Sequence, residues 1–186
     1  MAASKNPQVE LHGNKIFLRP PRAGDFREFS AMMKASRRAY RGLVSRFYTR
    51  RQFLEFAGRW KSDDACSFLI CRQPDGAIVG SIGIFNLVRR NVRTAFTGYS
   101  VGAAHMRQGY ATEALQLVLR YAFKRLRLHR LEASIQPHNA PSRALARRAG
   151  FVREGLSRRL VKIGGRWRDH ERWAILAEDW RPLRRK

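Results

Sequence analysis

The sequence predicts a single mixed α/β domain, a central β-sheet with helices on both faces. Three observations predict it. The 186 residues suit one ordinary domain and contain no internal repeat and no Pro/Gly/Ser linker that would divide them. The hydrophobic period is helical near the N-terminus, then turns strand-like, with turn signals between short apolar runs. Further along, strand and helix alternate, which is how parallel neighbours in a sheet are joined.

Taken in order, residues 15–19 form a short strand stopped by Pro20 and Pro21. Asp25 is placed to cap a helix that carries Phe26, Phe29, Met32 and Met33 on one face. Residues 49–61 form a second helix, with Phe53, Phe56, Ala57 and Trp60 at helical spacing. Residues 67–72 and 77–88 pair as a hairpin around Pro74-Asp75-Gly76, where Pro presets one turn dihedral and Gly accepts a positive φ. Residues 94–102 add another strand. Residues 110–126 form a helix burying Leu115, Val118, Leu119 and Ala122. Residues 131–136 alternate again and end at Pro137, and residues 142–149 make a helix stopped by Gly150. Residues 152–163 and 167–176 pair across Gly164-Gly165, a dipeptide suited to a tight hairpin turn. Antiparallel hairpins followed by β-α-β-α-β give a mixed sheet. The expected domain is residues 13–180, with flexible ends at 1–12 and 181–186.

Composition excludes several classes of function. No apolar run approaches the roughly 20 residues needed to span a bilayer. The first ten residues lack the apolar centre of a secretory signal, so the expected location is cytoplasmic. Cys66 and Cys71 have no companion Cys or His at zinc-site spacing. Five apart on one strand, they face opposite sides of the sheet and are expected as buried free thiols. The net charge is +24. Such a field attracts phosphate backbones and acidic proteins, although Arg far outnumbers Lys and the cations run along the whole chain, as biased codon usage also produces. No helix-turn-helix, zinc-finger or RNP pattern is present, which argues against reading a DNA sequence.

The chemistry concentrates in two strand-to-helix junctions. In the run from Thr97 to Leu115, TGYSVGAAHMRQGYATEAL, a strand ends at Gly102 and Gly109-Tyr110-Ala111 opens a long amphipathic helix. The first N–H groups of a helix have no internal partner; with the helix dipole they suit an anion such as a pyrophosphate. A single Gly at a helix start is more often a plain turn. The second junction, Pro137-His138-Asn139-Ala140-Pro141-Ser142, ends the next strand and opens the next helix. Two parallel strands thus finish at helix N-termini on one sheet edge, where open α/β sheets bind ligands.

Arg107-Gln108-Gly109-Tyr110-Ala111-Thr112-Glu113-Ala114 resembles the acetyl-CoA pyrophosphate loop of the GNAT N-acetyltransferases. Arg130-Leu131-Glu132-Ala133, Pro137-x-Asn139-x-x-Ser142 and Ala149-Gly150-Phe151 resemble that family's later motif, and the order and spacing agree over nearly the whole chain. The segment Gly164-Gly165-Arg166-Trp167-Arg168-Asp169-His170, with Asp179-Trp180 beyond it, is similar to the RimJ/RimL-like branch, which acetylates ribosomal proteins at their N-terminal α-amines. The resemblance implies the GNAT fold, with a splay between the fourth and fifth strands counted above, at residues 98–101 and 131–136. It implies acetyl-CoA as co-substrate and no metal. The implied co-substrate contacts are Val101, Met106, Arg107, Gln108, Gly109, Tyr110, Ala111, Thr112, Asn139 and Ser142, with the Val101 region offering a backbone N–H to the acetyl carbonyl. Three positions depart from the family. Met106 and Arg107 stand where Gln or Arg followed by Gly is usual, and Ala146 stands where many relatives have a Tyr acid; Ser142 is then the alternative acid.

Candidates for the proton acceptor are Glu132 and Glu154. Each has a structural reading beside the catalytic one: Glu132 faces away from Leu131 and Ala133 and can pair with Arg130, and Glu154 follows the Gly150-Phe151 turn. Glu113 suits a helix first turn, His138 a satisfied polar position beside a cap, and Asn139 either the loop backbone or the co-substrate. No paired-carboxylate or Glu–His arrangement is visible. An α-amine has a pKa of about 7.7–8.0 and lysine about 10.4, so a site with no dedicated base favours an α-amine. The expected acceptor is therefore a protein N-terminus, with a ribosomal protein as partner and electrostatic contact with rRNA. The alternatives are acetylation of a small amine or aminoglycoside, and a ribosome- or RNA-binding assembly factor without essential catalysis.

Overall fold

In the computed structural model, which describes residues 9–43, 49–59 and 62–182, twelve regular elements follow one another. They are β1 (Leu11–His12), β2 (Ile16–Arg19), α1 (Phe26–Ala35), α2 (Arg50–Gly58), β3 (Cys66–Arg72), β4 (Ile78–Val88), β5 (Thr94–Val101), α3 (Tyr110–Arg120), β6 (Arg130–Ile135), α4 (Ala140–Arg148), β7 (Val152–Ile163) and β8 (Arg166–Leu176). One eight-stranded sheet joins them in the order β1-β2-β3-β4-β5-β6-β8-β7. Neighbours from β1 to β5 are antiparallel, β5 and β6 are parallel, and β6-β8-β7 are antiparallel again. Most of the expected elements stand within a residue or two of their places.

Alternation along the strands sends side chains into two cores. On one face Cys66, Phe68 and Ile70 of β3 meet Leu115, Val118 and Leu119 of α3 and Leu145 and Ala146 of α4. On the other, Leu69, Cys71 and Ile78 meet Phe29 and Met33 of α1 and Phe53 and Phe56 of α2. The two cysteines are buried on opposite faces and form no disulfide. Helices thus cover both faces, as the change of period required.

Four details differ from the sequence reading. Leu11 and His12, expected in a loose end, pair with Leu18 and Phe17. Asp25 does not cap α1 through its side chain. It takes Arg19 in a two-pronged ion pair at 2.7 and 2.8 Å and the Arg22 N–H at 2.7 Å, tying the β2 exit to the helix start. The long helix expected over residues 110–126 is α-helical only to Arg120, then widens into a π turn over Tyr121–Arg125. The second helix keeps its Thr49 cap, whose hydroxyl accepts from the Gln52 N–H, but ends at Gly58; Trp60 and Lys61 lie outside the described residues. Among the described residues no helix is long and apolar enough to cross a membrane.

Candidate active site

The site forms where the only parallel ladder of the described sheet gives out. Thr94, Ala95 and Phe96 pair with Arg130, Leu131 and Glu132, and there the rungs end. β5 runs on to Val101 and β6 to Ile135, but the two no longer bond to each other, so the sheet opens in a wedge at its middle. On its β4 side the end of β5 stays anchored, Gly102 N–H to Val79 C=O at 2.8 Å. On its open side, Val101 presents a backbone N–H and C=O with no strand to receive them.

Both strands lead from the wedge into helix N-termini. After β5, Gly102 and a short turn at Ala103–His105 lead to Arg107 (φ 64°) and Gly109 (φ 87°), and Gly109 caps α3. These left-handed residues turn the loop back on itself and leave the first N–H groups of α3 facing outward. Arg107, Gln108 and Gly109 are exposed, Met106, Ala111 and Thr112 half-buried, and Tyr110 is buried in the core. Gln108 stiffens the loop through Nε2 to Ala104 C=O at 3.1 Å, and Lys15 Nζ donates to Gln108 C=O at 3.3 Å. Glu113 accepts the backbone N–H groups of Asn14 and Lys15, the latter at 3.1 Å, so it staples the β1–β2 turn to α3. From Gly109 and Thr112 a cleft of about 440 Å³ runs along the outer flank of α3, past Lys15, Arg120 and Arg148.

At the other junction Asn139 Oδ1 accepts the Ser142 N–H at 3.2 Å, so Asn139 is the cap of α4 and Ser142 lies one turn in. The Tyr99 hydroxyl meets Ser142 Oγ at 2.9 Å and Ser142 C=O at 3.3 Å, bridging the wedge from β5 to α4. Burial pushes the Tyr99 phenol above its ordinary pKa, so it stays protonated. Ala146 is buried in the core, and His138 is exposed.

The opposite side of the wedge is crossed by the segment after α1, residues 36–43. Three polar anchors hold it. Ser36 Oγ accepts the Ala103 N–H at 2.8 Å, the Tyr40 hydroxyl lies 2.8 Å from both N and O of Val101, and buried Gln136 donates through Nε2 to Gly42 C=O at 2.8 Å.

The carboxylates are committed elsewhere. Glu132 and Glu154 flank one guanidinium: Arg130 Nε meets Glu132 at 3.1 Å, and its two terminal nitrogens fork onto Glu154. The Arg130 contact holds the Glu154 carboxyl below its usual pKa. Arg130 and Glu132 sit in the paired part of the β5–β6 seam, below the open part. Glu171 is buried and takes Arg143 and Arg153, each at 3.0 Å, with the Trp173 indole N–H also at 3.0 Å. Asp169 accepts the Arg159 N–H at 2.8 Å. Burial, with His138 nearby, lowers the pKa of His170. Tyr40, Tyr99 and Gln136 were not picked out from the sequence. A tyrosine at residue 99, on the strand leading to the Gly109 loop, was the one available signal.

Residues 15–152 match the acetyltransferase (GNAT) domain family. Over 177 residues the chain is 35% identical to YjcK, a probable N-acetyltransferase of Bacillus subtilis, covering 91% of this chain and 98% of that protein. Over 124 residues it is 34% identical to the ribosomal protein uS5-alanine N-acetyltransferase of Escherichia coli, covering 67% of this chain and 64% of that one. Its fold matches Mycobacterium smegmatis RimJ in complex with CoA-disulfide with a TM-score of 0.81 at 30% identity, covering 93% and 87% of the two chains. A wedge between two helix N-termini in this sheet order, together with these likenesses, makes the chain an N-acetyltransferase of the GNAT family, in its RimJ-like branch.

Proposed function

We propose that the protein transfers acetyl from acetyl-CoA to the α-amine of a protein N-terminus, and that a ribosomal protein is the acceptor. The observation that carries this is the engagement of Glu113, Glu132, Glu154, Asp169 and Glu171 with arginines or backbone N–H groups. A site whose nearby carboxylates are already neutralised works best on an amine that arrives largely deprotonated. An α-amine meets that condition near pH 7; a lysine is disfavoured by about 3 kcal/mol. The likeness to the uS5-alanine enzyme supports the ribosomal acceptor, and the likeness to RimJ in complex with CoA-disulfide supports the co-substrate.

The residues divide the work as follows. The outward N–H groups from Arg107 to Thr112 and the α3 dipole hold the pyrophosphate. Val101 N–H polarises the acetyl carbonyl. Asn139 sets the α4 start so that Ser142 Oγ lies at the wedge, and Ser142 gives its proton to the departing thiolate while Tyr99 holds it in place. The amine proton leaves to water, and water returns a proton to Ser142, so that amine and thioester give amide and thiol with the serine restored. Glu132 and Glu154 serve Arg130 in this reading and take no part in proton transfer. The test compares a short peptide with a free N-terminal Ala against an N-blocked peptide carrying one Lys, with spermidine and an aminoglycoside alongside. The expected result is about 10²-fold faster acetylation of the α-amine at pH 7, with kcat/KM rising to a plateau through about pH 8. Equal rates for the lysine peptide, or faster turnover of a polyamine, would refute the proposal.

A further inference from the structure

The Tyr40 hydroxyl makes two bonds to one residue. It accepts the Val101 N–H and donates to the Val101 C=O, each at 2.8 Å. That is the pair of bonds a neighbouring strand would supply if the β5–β6 ladder continued past Phe96 and Glu132. Val101 is the last residue of β5, is buried, and faces the open wedge. An N–H and C=O at such a position need a partner, because leaving them unpaired costs the bond and the desolvation. Tyr40 reaches them from the segment after α1, while Tyr99 closes the other side onto Ser142. Burial raises the pKa of Tyr40, so the phenol keeps the proton that the carbonyl bond requires.

We propose that Tyr40 is a placeholder for the thioester: its hydroxyl occupies the Val101 N–H until acetyl-CoA enters, yields that N–H to the acetyl carbonyl, and returns when only CoA remains. The inference rests on the acetyl-CoA placement given above. Its consequence falls on the transition state. Acetyl-CoA must exchange a tyrosine bond for its own, so the N–H contributes little to ground-state binding and is held for the oxyanion, where it counts more. CoA has no carbonyl to exchange, and Tyr40 recloses the position behind it.

The experiment is calorimetry of acetyl-CoA and CoA with the full chain and with Tyr40→Phe, without acceptor. Removing the hydroxyl removes the competitor, so Tyr40→Phe should tighten acetyl-CoA by about fivefold, the worth of one net hydrogen bond, and leave CoA unchanged. Ser36→Ala cuts a second anchor of the same segment without freeing Val101, and should leave the ratio of the two affinities at the wild-type value. If Tyr40→Phe folds poorly, the wild-type chain answers through its ¹⁵N-labelled Val101 amide, which should move more with acetyl-CoA than with CoA. An unchanged affinity ratio, a weakened acetyl-CoA, or equal amide shifts would overturn the placeholder. Failure of both ligands to bind would overturn the co-substrate placement beneath it.

Discussion

Ser142 and Tyr99 form the smallest unit to which chemistry is assigned. Their hydroxyls are 2.9 Å apart, and Asn139 fixes the turn that presents Ser142. If Ser142 Oγ protonates the thiolate, Ser142→Ala should lower kcat by about 10²–10⁴ with little change in acetyl-CoA affinity. Tyr99→Phe should cost less, because it removes the partner that orients the acid and leaves the acid itself. Steady-state kinetics beside calorimetry would separate the two, and an unchanged kcat for Ser142→Ala would leave the serine as part of a helix turn. The place of Ser142 was legible because it stands at fixed spacing from Asn139 and Pro137. Tyr40 was not: it meets a backbone 61 residues away, and no local pattern records such a contact. Glu132 and Glu154 show the converse. The arginine that both contact is out of local view, since Glu154 lies 24 residues from Arg130.

At the scale of elements, the strand–loop–helix from β5 to α3 carries the strongest expectation. Gly109 caps α3 at φ 87°, and a Cβ added there would meet nothing closer than Lys15 Nζ at 3.9 Å. Space is therefore available, and the barrier to substitution is the backbone conformation. Gly109→Val would cost about 1–3 kcal/mol of strain, or rotate the loop and misdirect its N–H groups. It should weaken acetyl-CoA binding far more than Met106→Ala, which leaves that backbone intact; comparable small losses in calorimetry would show that the loop does not hold the pyrophosphate. Strands, hairpins and helix faces were readable because each has a local cause: alternation along Arg130–Ile135, a positive-φ pair at Gly164 and Gly165, an apolar stripe along α3. What escaped needed a tertiary partner. Leu11 and His12 become a strand only because β2 is there to pair with them. Asp25 gives up capping for Arg19, since a forked ion pair is the stronger bond.

For the whole molecule the open matter is the charge of +24. A field of several kT speeds encounter with RNA or an acidic surface, and screening shortens its reach to about 8 Å at physiological salt. If the charge serves the encounter, kcat/KM for an intact ribosomal partner should fall steeply with salt while kcat falls less, and a short neutral peptide should show almost no slope. Deleting residues 181–186 should reproduce part of the loss. Parallel slopes for peptide and partner would mark the charge as compositional. The same scale returns to the three rungs joining β5 to β6. They divide the sheet into two rafts, β1 to β5 and β6-β8-β7, with a narrow weld between them. A ligand lodged in the open length of that weld touches both rafts, so its binding adds to cohesion as well as to chemistry. By mass action, a co-substrate at 100 times its Kd stabilises the fold by about 2.7 kcal/mol.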